Sequence, residues 1–193
     1  MNSDKYKLME YLFELMHPLD HLLHDSAPEL FNKPALKLSE KNILTELKNL
    51  YESGLIGFFN YEGEIQKKHL SKPFDSYLQS YILGLTREGG ELIESRLRPN
   101  WSRFLLTEEE YVNNCVVLHV SSQNESIVQR CIDQIPCSTP PKFEKVSPWE
   151  PFYWKQLDVG YEAKLIIKLN EFDESKFNEI LETNRSWVGT FFE

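Results

Sequence analysis

The chain has no run near the roughly 18 apolar residues needed to span a bilayer, and Met1-Asn2-Ser3-Asp4-Lys5 at its start lacks the apolar core of an export signal. Those absences predict a cytoplasmic protein with no membrane partner. Cysteine is scarce as well: Cys115, Cys131 and Cys137 are an odd number with no Cys-x-x-Cys pair. They suggest neither a disulfide framework nor a zinc site, and reduced, buried thiols are expected. Also missing are a Gly-x-Ser-x-Gly elbow, a His-Glu-x-x-His pair, a Gly-x-Gly-x-x-Gly turn and a Walker loop. No spacing picks out two carboxylates for shared acid and base work. His119 falls in an apolar run and reads as a packed histidine. Cys137, beside Ser138 and Thr139, is the only candidate nucleophile and has no identifiable base. The expectation is therefore no enzyme, no cofactor and no metal. There is no internal repeat and no low-complexity segment.

Basic charge is the other shortage. The 193 residues carry 21 Lys and Arg against 30 Asp and Glu, a formal net charge of -9. That charge repels the phosphates that supply most non-specific affinity for nucleic acid, and it attracts basic partners. Nucleic acid is accordingly an unlikely partner. The imbalance is uneven: residues 1 to 106 hold 13 basic against 15 acidic side chains, net -2, whereas residues 107 to 193 hold 8 against 15, net -7.

What is present is enough apolar material, 41% of residues, to bury a sizeable core in one large or two small domains. The organising stretch runs from Leu38 to Leu97. Ser39 is a good N-cap, Leu38 can staple to Ile43, and Ile43, Leu44, Leu47, Leu50 and Tyr51 follow at helical spacing. Gly54 stands where a left-handed residue should end that helix, and Leu55 to Phe59 suit a strand. A long polar loop with Lys67, Lys68, His69 and Lys72 precedes a second strand, expected from Tyr77 to about Leu85. Thr86 then caps a helix with Leu92, Ile93 and Leu97 inside, and Gly89 and Gly90 would let its first turn lie close against another backbone. Ahead of this stretch, Leu8, Met9, Leu12, Phe13 and Met16 form one helix face. His17-Pro18 interrupts it, and a short piece carries Leu19, Leu22 and Leu23. His17, His21 and His24 would share a face only in an unbroken helix, and nothing completes a metal set.

The segment Tyr81-Ile82-Leu83-Gly84-Leu85-Thr86-Arg87-Glu88-Gly89 resembles the Tyr-x-Leu-Thr-x-x-Gly edge that closes the wing in bacterial winged-helix regulators of the PadR and MarR kind. The resemblance covers about a third of the chain and implies a winged-helix domain over residues 1-103. The helix that would enter a major groove shows Glu40, Lys41, Asn42, Thr45, Glu46, Lys48, Asn49 and Glu52 outward. Without arginine and with more acid than base, it makes a poor reader of DNA.

A second, acidic α+β domain is expected over residues 107-193. Thr107-Glu108-Glu109-Glu110 reads as its solvated opening, Cys115 to Val120 as a central strand, and Ile127, Val128, Cys131, Ile132 and Ile135 as a helix stripe. After a Pro-rich excursion from Pro136 to Pro151, Phe152 to Leu157 and Tyr161 to Leu169 read as a hairpin about Asp158-Val159-Gly160. Asp173 caps a last helix and Trp187 to Phe192 can supply a final strand. The order resembles a ferredoxin-like split βαβ sandwich, so the fold class is α+β, a winged helix followed by a small ferredoxin-like domain.

Two surfaces stand out. Arg96, Arg98, Trp101 and Arg103 interleave guanidinium groups with aromatics, as an anion or partner site would, or as a linker plugged by its own rings. Trp149, Glu150, Phe152, Trp154 and Asp158 combine aromatic anchors with acids in the most negative part of the chain, with Trp154 expected opposite Tyr153. Small acidic, aromatic-rich bacterial proteins of this size resemble immunity proteins that neutralise basic toxins. The functional expectation is thus a non-enzymatic module for a basic protein partner such as a toxin. The alternative is a winged-helix transcriptional regulator with a ligand-sensing C-terminal domain. The oligomeric state is left open by the sequence.

Overall fold

The central helix forms where local chemistry directs it. Ser39 lies at φ -69° and ψ 149°, and its Oγ accepts from Asn42 N at 3.2 Å. The helix, spanning Glu40–Glu52, ends on Gly54 at φ 74°. Gly54 N donates to Tyr51 O and Leu55 N to Leu50 O, which is the paired capping of a Schellman motif. Thr86 opens a later helix, Arg87–Leu97, by accepting from Gly89 N through Oγ1 at 3.1 Å. A Cβ on Gly89 would lie 1.9 Å from Leu55 O, so the missing side chain is what lets the backbones approach.

The computed structural model describes residues 3–23, 37–60, 63–65, 73–78, 80–135, 137 and 139–180. The chain is α+β and divides into two compact units. The first is Met1–Arg96 together with Phe152–Lys155; the second is Leu97–Pro151 with Gln156–Glu193. The sequence places a single break between residues 103 and 107, whereas the contacts break after Arg96 and return the chain to the first unit for four residues.

In the first unit, α1 (Ser3–Tyr11), α2 (Leu19–Leu23), α3 (Glu40–Glu52) and α4 (Arg87–Leu97) accompany a three-stranded sheet. Its order is β2-β1-β3, with β1 Ile56–Asn60, β2 Gly63–Glu64 and β3 Ile82–Leu85, all antiparallel. Leu8, Leu12, Leu47, Phe58, Leu83 and Ile93 are fully buried and form its core. Two expectations shift. The second strand does not begin at Tyr77: Phe74–Ser76 is a single helical turn and Tyr77 packs its ring on Phe58 at 5.7 Å. His17 lies outside any helix, exchanging two 2.8 Å backbone bonds with Leu83, so His17 and His21 do not share an unbroken helix. His24, Lys67, Lys68, His69 and Lys72 lie outside the described residues.

In the second unit, β4 (Leu106–Val112), β5 (Cys115–Ser122), β6 (Lys142–Val146) and β9 (Gly160–Lys168) form an antiparallel-paired sheet of order β4-β5-β9-β6. Because β9 runs antiparallel to both β5 and β6, those two run parallel, joined through α5 (Glu125–Gln134). One sheet face, with Leu118, Val120, Leu165 and Ile167, packs against Val128, Cys131, Phe177 and Ile180. β7 (Trp149–Phe152) and β8 (Lys155–Leu157) pair with each other. The expected hairpin between the Phe152 region and β9 is therefore absent: β9 finds its partners in β5 and β6 instead. Trp187 to Phe192 lies outside the described residues.

Candidate functional site

The indoles proposed from sequence as anchors are inside the protein. Trp149 is 4% exposed within the second unit, donating from Nε1 to Ser121 Oγ at 3.3 Å. It lies over Gly160, where a Cβ would come within 2.3 Å of its Cγ. Trp154 is 7% exposed within the first unit and donates from Nε1 to Phe13 O at 2.6 Å. A Cβ on Gly90 would meet its Cε3 at 1.9 Å. Phe152, half-buried, stacks on Trp154 at 6.3 Å and meets Phe13 edge-on at 5.4 Å.

Tyr153 does not oppose Trp154 across a strand, since both occupy the turn between β7 and β8 and both enter the first unit. Its hydroxyl accepts from Leu85 N and donates to Leu12 O, each at 2.6 Å. Burial raises its pKa well above the usual phenol value, against a smaller lowering by the Leu85 hydrogen bond. Lys155 completes this stretch by reaching the Glu94 carboxylate at 2.7 Å.

The acids of the same sequence cluster are accessible. Glu150 is exposed and accepts from Gln156 Nε2 at 3.0 Å; Asp158 is exposed, and its carbonyl accepts from Ser147 Oγ. The arginine segment is divided. Arg96 stacks its guanidinium 4.0 Å above the Tyr6 ring inside the first unit. Arg98, exposed at φ 51°, Trp101, buried, and Arg103, half-buried, belong to the second. Trp101 meets Phe104 edge-on at 5.8 Å, and Phe104 lies 6.5 Å from Trp149, so these rings pack on one another.

The surface that sequence reasoning passed over is β4. Residues expected to be a solvated opening are a seven-residue edge strand, paired with β5 from Leu106↔Ser121 to Val112↔Cys115. Glu108, Glu109 and Glu110 are all exposed, and Tyr111 is 59% exposed with its hydroxyl donating to Glu109 at 3.2 Å. The signal was Asn113-Asn114, a two-residue hairpin loop in which Asn113 takes φ 53°, a conformation asparagine tolerates.

His119 Nδ1 lies 2.7 Å from Glu162 Oε1 on the sheet face away from the helices. Burial pushes the Cys131 thiol up to about 11, which keeps it protonated. Among the described residues no three His, Cys, Asp or Glu side chains gather as metal ligands would, and no helix is long and apolar enough to cross a membrane. The chain matches no protein-family model, no curated protein and no solved structure.

Proposed function

We propose that the chain is a cytosolic, non-enzymatic protein-binding module whose acidic second unit meets a basic protein partner, of which a nuclease-like toxin is the sharpest candidate. The observation that carries this reading is the β4 edge, three consecutive exposed glutamates beside an exposed tyrosine in the part of the chain that is net -7. Such a field speeds encounter with a basic surface, and an edge strand offers main-chain groups to an added strand. Glu150 and Asp158 add to the field; Trp149 and Trp154 support the units from within. We read the first unit as a winged helix, on its helices and small sheet. The second we read as ferredoxin-like, on β9 lying between the parallel β5 and β6.

Charge reversal tests the reading against the purified partner. Glu109→Lys with Glu150→Lys and Asp158→Lys should slow association at least tenfold and flatten its salt dependence, while Tyr111→Ala should speed dissociation. Affinity indifferent to all four changes would refute it.

A further inference from the structure

β4 lies at one end of the β4-β5-β9-β6 sheet, and the hydrogen bonds fix which of its main-chain groups point outward. Leu169 N donates to Asn114 O at 2.8 Å, one register step beyond Cys115↔Lys168. Bonded and non-bonded pairs alternate along an antiparallel ladder, so Val116, Leu118 and Val120 turn their main chain toward β9. Cys115, Val117, His119 and Ser121 therefore turn theirs toward β4, where they engage Val112, Glu110, Glu108 and Leu106. Thr107, Glu109 and Tyr111 are left with N–H and C=O directed away from the sheet. Among the described residues nothing pairs with them on that side.

Such an edge is usually blunted by proline, lysine, a bulge or a covering segment. The outer side of β3 is covered in this way: His17 exchanges two 2.8 Å backbone bonds with Leu83, and Leu85 N is taken by the Tyr153 hydroxyl. β4 has no proline or lysine, and its seven residues pair with β5 without a skipped position. What it carries is acid. Glu108, Glu109 and Glu110 are exposed, and no Lys or Arg of the described residues forms an ion pair with any of them.

We propose that β4 takes up an extended basic segment of the partner as a fifth strand, antiparallel like every other pair in this sheet. The inference rests on the basic-partner reading above and specifies how that partner is held. The open main chain is the site, and the glutamates select its occupant. A second β4 laid antiparallel about Glu109 would set Glu109 against Glu109 and Glu108 against Glu110, and like charges directly opposed destabilise a sheet. A segment with Lys or Arg at three successive positions makes each of those pairs favourable. Directly opposite residues share a face, so two of its cations meet Glu108 and Glu110 on one side of the sheet. The third meets Glu109 on the other side, with an apolar residue beside it against Tyr111. Main-chain bonds supply affinity and the alternating side chains supply specificity.

A pair of peptides tests this on the full chain. The first is acetyl-Thr-Val-Lys-Arg-Lys-Val-Thr-amide, whose Arg falls opposite Glu109. The second is N-methylated on its two Val residues and its Arg, which keeps every charge and removes the N–H groups that would face β4. At about 50 mM salt, where charge attraction is strong, the Thr107, Glu109 and Tyr111 amides should exchange freely in the unliganded chain and be slowed by the first peptide. The methylated peptide should bind at least tenfold more weakly. On the protein side, Glu109→Pro removes an outward N–H that β5 does not use, and with unchanged circular dichroism it should bind the first peptide at least fivefold more weakly than Glu109→Ala, which loses the charge alone. The peptide pair decides the matter if the proline disturbs the fold. Equal affinity for the two peptides overturns the added strand while leaving a basic partner held by charge, so the two readings fail separately. Amides already protected in the unliganded chain, or a first peptide that does not bind, also overturn it.

Discussion

Trp154 lies so close over Gly90 that a single added carbon on the glycine would come within 1.9 Å of the indole Cε3. Two effects compete in Gly90→Ala. Alanine is the better helix former by about 1 kcal/mol, while overpacking a filled site costs about 1–3 kcal/mol and more when the neighbour cannot move. The indole is held by its bond to Phe13 O, so packing wins. Urea denaturation of Gly90→Ala should show a lower midpoint with the same slope. An equal or higher midpoint would mean that the indole yields freely.

Tyr153 supplies the second test. Tyr153→Phe removes the hydroxyl that serves Leu85 N and Leu12 O, and a buried group left unsatisfied costs about 1–3 kcal/mol. The pH dependence follows from the raised phenol pKa. Below the unfolded value, about 10, both states are protonated and the contribution is whole. Above it the unfolded chain loses the proton first, so stability falls with rising pH. Wild-type stability should therefore drop above pH 10, and the Phe variant should start lower but lose less over that window. Parallel curves would contradict this.

The three thiols should differ in rate. With its pKa pushed up to about 11, Cys131 is a thiolate in about one molecule in a thousand at pH 8, and its side chain is buried. Cys115 and Cys137, expected from sequence to be buried as well, are partly exposed: Cys115 opens β5 beside the Asn113-Asn114 turn and Cys137 lies outside any helix or strand. Peptide mapping after brief maleimide treatment of the folded chain should find label at Cys115 and Cys137 well before Cys131. Equal rates would place Cys131 outside the core described above.

How much of this was legible depends on how local the cause is. Ser39, Gly54 and Thr86 act within one turn of their own positions, and each cap is read directly from the sequence. The burial of Trp149 and Trp154 depends on Gly160 and Gly90, outside the elements that carry the indoles, whose missing side chains make room for them. A sequence shows the tryptophan and the glycine without showing that they meet. β4 fails for a related reason: three glutamates have poor strand propensity, and the strand exists because β5 pairs along its whole length. The β9 alternation was legible, its partners were not, because alternation fixes a face and leaves the neighbour unspecified.

The first unit should not read DNA. Glu40, Lys41, Asn42, Thr45, Lys48, Asn49 and Glu52 are all exposed on α3, with acids and bases offsetting one another. Fluorescence anisotropy on genomic fragments at about 50 mM salt, where electrostatic binding is strong, should show no sequence-specific binding. Specific binding abolished by Lys41→Ala would favour the regulator alternative.

The most direct test of a basic protein partner is paired capture from native lysate at about 50 mM salt, using the immobilised chain and its Glu108→Lys, Glu109→Lys, Glu110→Lys variant, read by mass spectrometry. A discrete basic protein should be retained by the wild-type chain, released by added salt and missing from the variant. Recovery of nucleic acid alone, or the same proteins on both supports, would contradict it.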